Sequence, residues 1–208
     1  YGPLSKKVAF RLNGTIESAG SYRESVSSKR YYIAPSLLFN LGGKTNLLLH
    51  GDYLQHDFTP DFGIGTIGTT SSTNTGKTIS PVPRSRFLGT SWQYTHTKQS
   101  TIGAELNHQI NDSWQLNAGI SKSYYNRDYF SVERIQADPN GKWKRPLSKF
   151  DNTEDYYGAQ VNVNGAFATG ALQHKLLIGA DADLYQTKNL TSAITGTIYD
   201  SINILNPS

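Results

Sequence analysis

Apolar and polar residues alternate along most of this chain. From Lys44 to Asp57, Thr45, Leu47, Leu49, Gly51 and Tyr53 oppose Asn46, Leu48, His50, Asp52 and Leu54. From Ser113 to Ser123, Trp114, Leu116, Ala118 and Ile120 oppose Gln115, Asn117, Gly119 and Ser121. Tyr156–Phe167, Thr101–Ile110, Gln173–Tyr185 and the segment from Val8 to Glu17 repeat the pattern, with His108 an exception. Side chains alternate across a strand, so each segment predicts a β-strand with one apolar and one polar face. A seventh strand, Arg30–Leu41, contains Pro35, a residue expected at a sheet edge or bulge. No helical period of useful length appears.

The links between strands alternate in length. Leu41-Gly42-Gly43-Lys44, Asn111-Asp112-Ser113 and Ala168-Thr169-Gly170-Ala171 are short turns. Long loops are expected near residues 18–29, 57–98, 126–153 and 186–208. Short turns on one rim and long loops on the other predict an antiparallel up-and-down meander. This asymmetry is what transmembrane barrels show, with short periplasmic turns and longer extracellular loops. The 57–98 link holds the low-complexity stretch Thr69–Gly76, and the 126–153 link is basic and aromatic.

Composition sharpens this picture. The 208 residues are 37% hydrophobic and only 17% charged, with a mean hydropathy of −0.49. Twelve per cent aromatics, with 13 tyrosines, argue against a disordered chain. The longest apolar runs, such as Leu47-Leu48-Leu49, are far short of the ~18 residues a membrane helix needs, which leaves a membrane β-barrel open. Absence of cysteine excludes a disulfide scaffold, a thiolate metal site and a cysteine nucleophile. A net charge of +4 does not point to nucleic acid. Both termini read as cuts within a longer chain. The central apolar faces carry Leu, Ile, Val, Ala, Gly and aromatics without Lys or Arg, as a lipid-facing surface requires. Tyr31, Tyr32, Tyr53, Trp114, Tyr124, Tyr125, Tyr156 and Tyr157 gather near strand ends, where interfacial girdles lie. A passive porin-like barrel and a soluble carbohydrate-binding β-module share part of this pattern.

Motifs for chemistry are sparse. Thr75-Gly76-Lys77-Thr78 ends like a phosphate-binding loop, but Ser71 stands where the first glycine is required. His50 and His56 share a strand face with Asp52, yet the two histidines lie about 20 Å apart along the strand, too far for one ion. Asp181 and Asp183 read as a hydrated polar wall. Asn13-Gly14-Thr15 and Asn189-Leu190-Thr191 match a glycosylation sequon that matters only in a eukaryotic secreted protein. No nucleophile elbow or paired-carboxylate signature is present, so no enzyme, catalytic residue, metal site or resident cofactor is expected.

The order of several motifs resembles the TonB-dependent siderophore receptors of the ferrichrome type. These are Gly2-Pro3-Leu4, Ala9–Gly14, Tyr22-Arg23, Arg30–Ser36, Lys44-Thr45, Thr59–Ile64, Phe87-Leu88-Gly89, the run from Leu106 to Trp114, Phe167–Gly170, His174–Asp181 and Asn206-Pro207. The resemblance implies a 22-stranded outer-membrane barrel of which residues 1–208 supply about the third to the ninth strand. It also implies a ferric siderophore as substrate, outer-membrane lipid around the wall, and a TonB complex acting through a plug and a box outside this chain. Pro35 matches the family's strand proline. In ferrichrome-type receptors, aromatics flank the glycine matching Gly63; Phe62 keeps one and Ile64 departs from the other. The ligand candidates are Phe62, Trp92, Tyr94, Tyr129, Phe130 and Trp143, with Arg127, Lys142, Lys144 and Arg145 favouring an anionic ferric complex.

Overall fold

The computed structural model describes residues 2–68 and 77–206. Its strands are β1 (Gly2–Pro3), β2 (Val8–Gly20), β3 (Ser27–Gly42), β4 (Thr45–Phe58), β5 (Thr66–Ile67), β6 (Thr78–Ile79), β7 (Tyr94–Asn111), β8 (Trp114–Val132), β9 (Gln136–Ala137), β10 (Lys142–Thr169), β11 (Leu172–Thr191) and β12 (Ile198–Asn203). The main sheet runs β1-β2-β3-β4-β7-β8-β10-β11, every pair antiparallel, and β12 folds back onto β10. The seven long strands are the seven that alternation predicts. A small second sheet, β6-β5-β9, lies in the connecting loops. Thr69–Gly76, including most of the phosphate-loop-like motif, falls outside the described residues.

Register joins the apolar faces into one surface. Leu37, Leu49, Ala104, Ile120, Ala159 and Ala182 form one lateral row, and Phe39, Leu47, Leu106, Ala118, Val161 and Ala180 form the next. Ile102 is 68% exposed, Ile120 65% and Ile178 62%. Leaving each large aliphatic side chain in water costs about 1.5–3 kcal/mol, so a continuous face of them belongs against lipid. The opposite face carries the polar partners: Glu105, Gly119, Gln160 and Asp181 in one row, and His50, Gly103, Ser121, Gly158 and Asp183 in another.

The height of the lipid band follows from the aromatics. Tyr31, Tyr53, Tyr124 and Tyr157 mark its upper edge. Its lower edge holds Trp114 stacked on Phe167, ring centres 6.4 Å apart, with Phe167 on His174 at 4.8 Å. Ten residues separate Trp114 from Tyr124, about 33 Å of strand, or about 25 Å of membrane at a tilt near 40°. That equals the apolar band of an outer-membrane barrel. Lys122 stands on this face at the upper edge. Its ammonium lies 3.3 Å from Asp155 and over the Tyr157 ring, where a long stem reaches the interface.

Two sequence expectations shift. The strands run on well above the band, so the upper connections shrink to residues 21–26, 59–93, 133–141 and 192–197. Above the band no lipid enforces alternation and loops cover parts of both faces, so the period-two pattern disappears although the ladder continues. Pro35 lies neither at a sheet edge nor at a bulge. It pairs with Leu12 on one side, and on the other the ladder to β4 lapses beside it, between the Ile33–Tyr53 and Ser36–His50 pairs. The missing proline N–H therefore falls where no ladder bond is made.

The loops build a core of their own. Leu88, Val132, Ile135, Ala137, Trp143 and Ile204 are buried together, with Ile67, Trp92, Leu147 and Ile202 against them. Val132 and Leu147 continue the lipid-side rows upward, but at this height loops cover them. Arg145 ties the assembly. Its guanidinium makes a two-pronged pair with Asp200, Nε at 2.5 Å, and donates to the Gly89 carbonyl at 3.1 Å.

Candidate functional site

Above the band, the polar face changes character. Glu17, Arg30, His56, Thr97, Arg127, Asn152 and Asn189 form one lateral row across β2, β3, β4, β7, β8, β10 and β11. The row above it holds Phe58, Thr95, Tyr129 and Phe150. A polar row carrying Arg30 and Arg127 thus underlies an aromatic row, on the side that faces the barrel lumen. Arg127 lies three residues beyond Tyr124, about 8 Å above the upper girdle.

The two rows interlock. Tyr129 and Phe150 stack with ring centres 4.8 Å apart, and the Arg127 guanidinium lies 5.1 Å from one ring and 5.3 Å from the other. Its Nε is buried with no hydrogen-bond partner, and no ion pair joins it to a carboxylate among the described residues. Arg30, by contrast, reaches Glu17 at 3.5 Å. His56 stacks on Phe58 at 4.7 Å and shares a 2.9 Å hydrogen bond with the Ser28 hydroxyl. Burial, and then the Arg30 charge, lower its pKa and favour the neutral ring, with Glu17 and Asp57 opposing. Burial pushes the Tyr129 hydroxyl up, Glu133 adding to this and Ser131 and Arg127 acting against it, so it stays neutral. The arrangement offers an incompletely satisfied cation backed by aromatic faces, which suits an anionic, flat-surfaced ligand.

The six sequence candidates separate into distinct places. Tyr129 is 5% exposed and Trp143 3%; the first backs Arg127, and the second fills the loop core. Trp92, Tyr94 and Phe130 do meet, with Trp92 4.4 Å and Tyr94 6.2 Å from the Phe130 ring. Tyr94 and Phe130 pair directly and share the parity of the lipid-side face, opposite to Tyr129. Tyr199 joins them at 5.2 Å from Trp92, and the Lys149 ammonium lies over Phe130. Phe62 is 43% exposed on its loop. Asp61 holds that loop by a 2.6 Å ion pair to buried Arg23 and by accepting from the Gly63 N–H at 3.0 Å. Gly63 takes a φ of 81°, a conformation glycine adopts without strain. Arg23 also donates to the Arg86 carbonyl and the Tyr22 hydroxyl, both at 3.1 Å.

Sequence reasoning missed Phe58 and Phe150. Both sit two residues above a polar lumen-side position of the same strand, His56 and Asn152 read upward, so strand parity extended past the girdle identifies them. Arg127 stood out only as one basic loop residue, because its strand was read as loop.

Comparison with known proteins gives a consistent result. The family described as TonB dependent receptor-like, beta-barrel matches residues 32–208. The chain is 28% identical over 199 residues to the catecholate siderophore receptor Fiu of Escherichia coli O6:H1, covering 86% of this chain and 26% of that protein. It is 30% identical over 189 residues to the ferric-pyoverdine M114 receptor PbuA of Pseudomonas sp., covering 87% of this chain and 22% of that one. The crystal structure of the open form of Fiu from E. coli K12 superposes with a TM-score of 0.81 at 24% identity, over 99% of this chain and 34% of the other. The chain thus spans about a quarter of the length of the curated relatives it matches. The matched family, the meander with its short and long rims and the 25 Å apolar band agree: this chain belongs to the TonB-dependent receptor β-barrel family.

Proposed function

We propose that these residues are part of the wall of an outer-membrane receptor that takes up a ferric siderophore with energy delivered by TonB. The observation that carries the reading is the Arg127–Tyr129–Phe150 stack on the lumen side above the upper girdle. A wall that only passes water and ions has no need of a half-buried guanidinium that lies on aromatic faces with an unpartnered Nε. A chelate with negative oxygen donors and flat organic arms meets both groups at once. The names of the two curated relatives, a catecholate receptor and a ferric-pyoverdine receptor, support the same class of substrate. Phe62 is the exposed aromatic on the clamped 59–65 loop and contacts the chelate from above. Trp92, Tyr94, Phe130 and Trp143 shape the loops around it.

The test uses the full-length receptor in outer-membrane vesicles with a ferric catecholate complex. Losing one charge-assisted hydrogen bond costs about 1.5–3 kcal/mol, so Arg127→Ala weakens binding roughly 10- to 100-fold. Phe62→Ala weakens it less. Unchanged affinity in the Arg127→Ala/Phe62→Ala double variant, in a barrel that still resists SDS, rejects this site.

A further inference from the structure

His56 stands in the same lateral row as Arg127, with only Thr97 of β7 between them. Two strand spacings separate the pair, about 10 Å. Each is backed by an aromatic ring two residues further up its own strand. His56 lies on Phe58 with ring centres 4.7 Å apart, and the Arg127 guanidinium lies 5.1 Å from the Tyr129 ring. Two walls of like construction thus rise on either side of a threonine. A flat group in van der Waals contact with both walls spans about 7–8 Å, so one arm of a planar chelate fills the gap.

The His56 ring can change charge in place. One nitrogen, Nε2, shares a 2.9 Å hydrogen bond with the Ser28 hydroxyl. A hydroxyl both donates and accepts, so this bond survives protonation of the ring. Among the described residues Nδ1 has no hydrogen-bond partner, and no carboxylate forms an ion pair with the ring. An imidazolium also gains from the Phe58 face beneath it.

The charges around the ring come from several elements. Arg30 of β3 pairs directly with His56, and Glu17 of β2 reaches Arg30 at 3.5 Å. Asp57 of β4 turns to the outer face, where it meets His96 at 2.7 Å. Asp61, on the loop that follows β4, is held by Arg23. From β7 this face presents Thr95, Thr97 and Gln99, all uncharged, and β8 contributes Arg127. In the free receptor burial, and then Arg30, favour the neutral ring, with Glu17 and Asp57 opposing. A negative ligand seated over Thr97 acts in the opposite sense, because an opposite charge nearby favours the charged form.

We infer that His56 is a proton-dependent binding residue, which takes up a proton as an anionic chelate settles against the Arg127 stack and then forms the second cationic wall of the site. The inference rests on the chelate site proposed above and adds to it a coupling between capture and pH. The sign follows from linkage. Capture that consumes a proton is favoured as pH falls, and the gain levels off once the free ring is itself charged.

The experiment is titration calorimetry of the full-length receptor in detergent with a synthetic ferric tris-catecholamide. Heats measured near neutral pH in two buffers of different ionisation enthalpy give the protons taken up per chelate bound. The expected uptake is about half a proton or more for the unmodified receptor and about zero for His56→Gln, which removes the titrating group. Affinity rises roughly three- to tenfold from about pH 8 to about pH 6, and His56→Gln loses that rise. His56→Lys, charged throughout, restores tight binding without the pH dependence. SDS-resistant mobility confirms a folded barrel in each variant. Equal proton uptake in the unmodified receptor and His56→Gln overturns the inference. If Arg127→Ala still weakens binding in that case, the chelate site stands and the role of His56 alone falls. Binding that Arg127→Ala leaves unchanged removes the site and the inference together.

Discussion

Ile120→Lys tests the assignment of faces most directly. Ile120 is 65% exposed on the apolar face and lies six of the ten residue steps from Trp114 to Tyr124. That places its Cα about 15 Å above the lower girdle, within about 3 Å of the middle of the 25 Å band. A lysine at the midplane of a barrel costs roughly 2–4 kcal/mol, which is about a 30- to 1,000-fold loss in the folding equilibrium. Lys122 sits one alternate position higher on the same face, at the girdle, where the cost falls to about 0–1 kcal/mol. Ser121, between them, faces the lumen, and Ser121→Lys is expected to cost less than about 1 kcal/mol. The assay is equilibrium refolding of the full-length receptor into phosphatidylcholine vesicles across a denaturant series. Three adjacent positions thus give a large, a small and a tolerated effect. If Ser121→Lys costs as much as Ile120→Lys, the two faces are not lipid and lumen, and the whole arrangement is refuted.

Two further outcomes follow from local geometry. A Cβ at Gly165 would run into the Trp114 indole, so Gly165→Ala is expected to destabilise the barrel by about 1–3 kcal/mol in thermal unfolding, and Trp114→Ala in the same chain should relieve most of that loss. Above the band, burial pushes the Asp57 carboxyl up, but hydrogen bonds from Gln55 and His96 and the charges of His96 and His56 more than offset it and hold its pKa below the ordinary carboxylate value. A lowered pKa means the stabilisation is present above that ordinary value and is lost as pH falls through the lowered one. Asp57→Asn should therefore flatten the acid limb of an unfolding-versus-pH curve, and an unchanged acid limb would show that the His96 pair, at 2.7 Å, adds nothing.

The membrane-spanning part of this fold was readable because lipid enforces it. Leu47, Leu49, Ala118, Ile120, Val161 and Val163 alternate with polar residues since a charge among them is costly, and the glycine-bearing turns at 42–43 and 170 supply the breaks. The upper halves of β8 and β10 were hidden because buried residues fall on both faces there, Tyr129 and Ser131 on one and Val132 on the other, so Asn126–Val132 and Lys142–Thr153 carry no alternation. The candidate site suffered for the same reason. Tyr129 and Phe130 are neighbours in sequence, and only the strand through them puts the first on the lumen side and the second on the outer side. A lumen-side row of asparagines, Asn40, Asn46, Asn107, Asn117 and Asn162 paired across β3, β4, β7, β8 and β10, was partly within reach: Asn40 and Asn46 flank one tight turn symmetrically, and Asn107 and Asn117 flank another. Joining those two pairs to each other and to Asn162 needs the register across the long connections, which sequence does not supply.

The 28-residue strand β10 carries a lesson about how such a receptor changes over time. Its upper half and that of β8 are a hairpin raised far above the membrane. Such a hairpin grows or shortens by inserting matched residues on both arms. One extra residue per arm turns every side chain above the insertion to the other face. Arg127, Tyr129 and Phe150 would then turn outward, and Phe130 would turn inward. Two residues per arm raise the same surface by about one repeat and leave its facing intact. Viable length variants of this hairpin should therefore differ in steps of two per arm, while the tip between residues 133 and 141 keeps its length, because Ile135 and Ala137 fill the loop core and β9 pairs with β5.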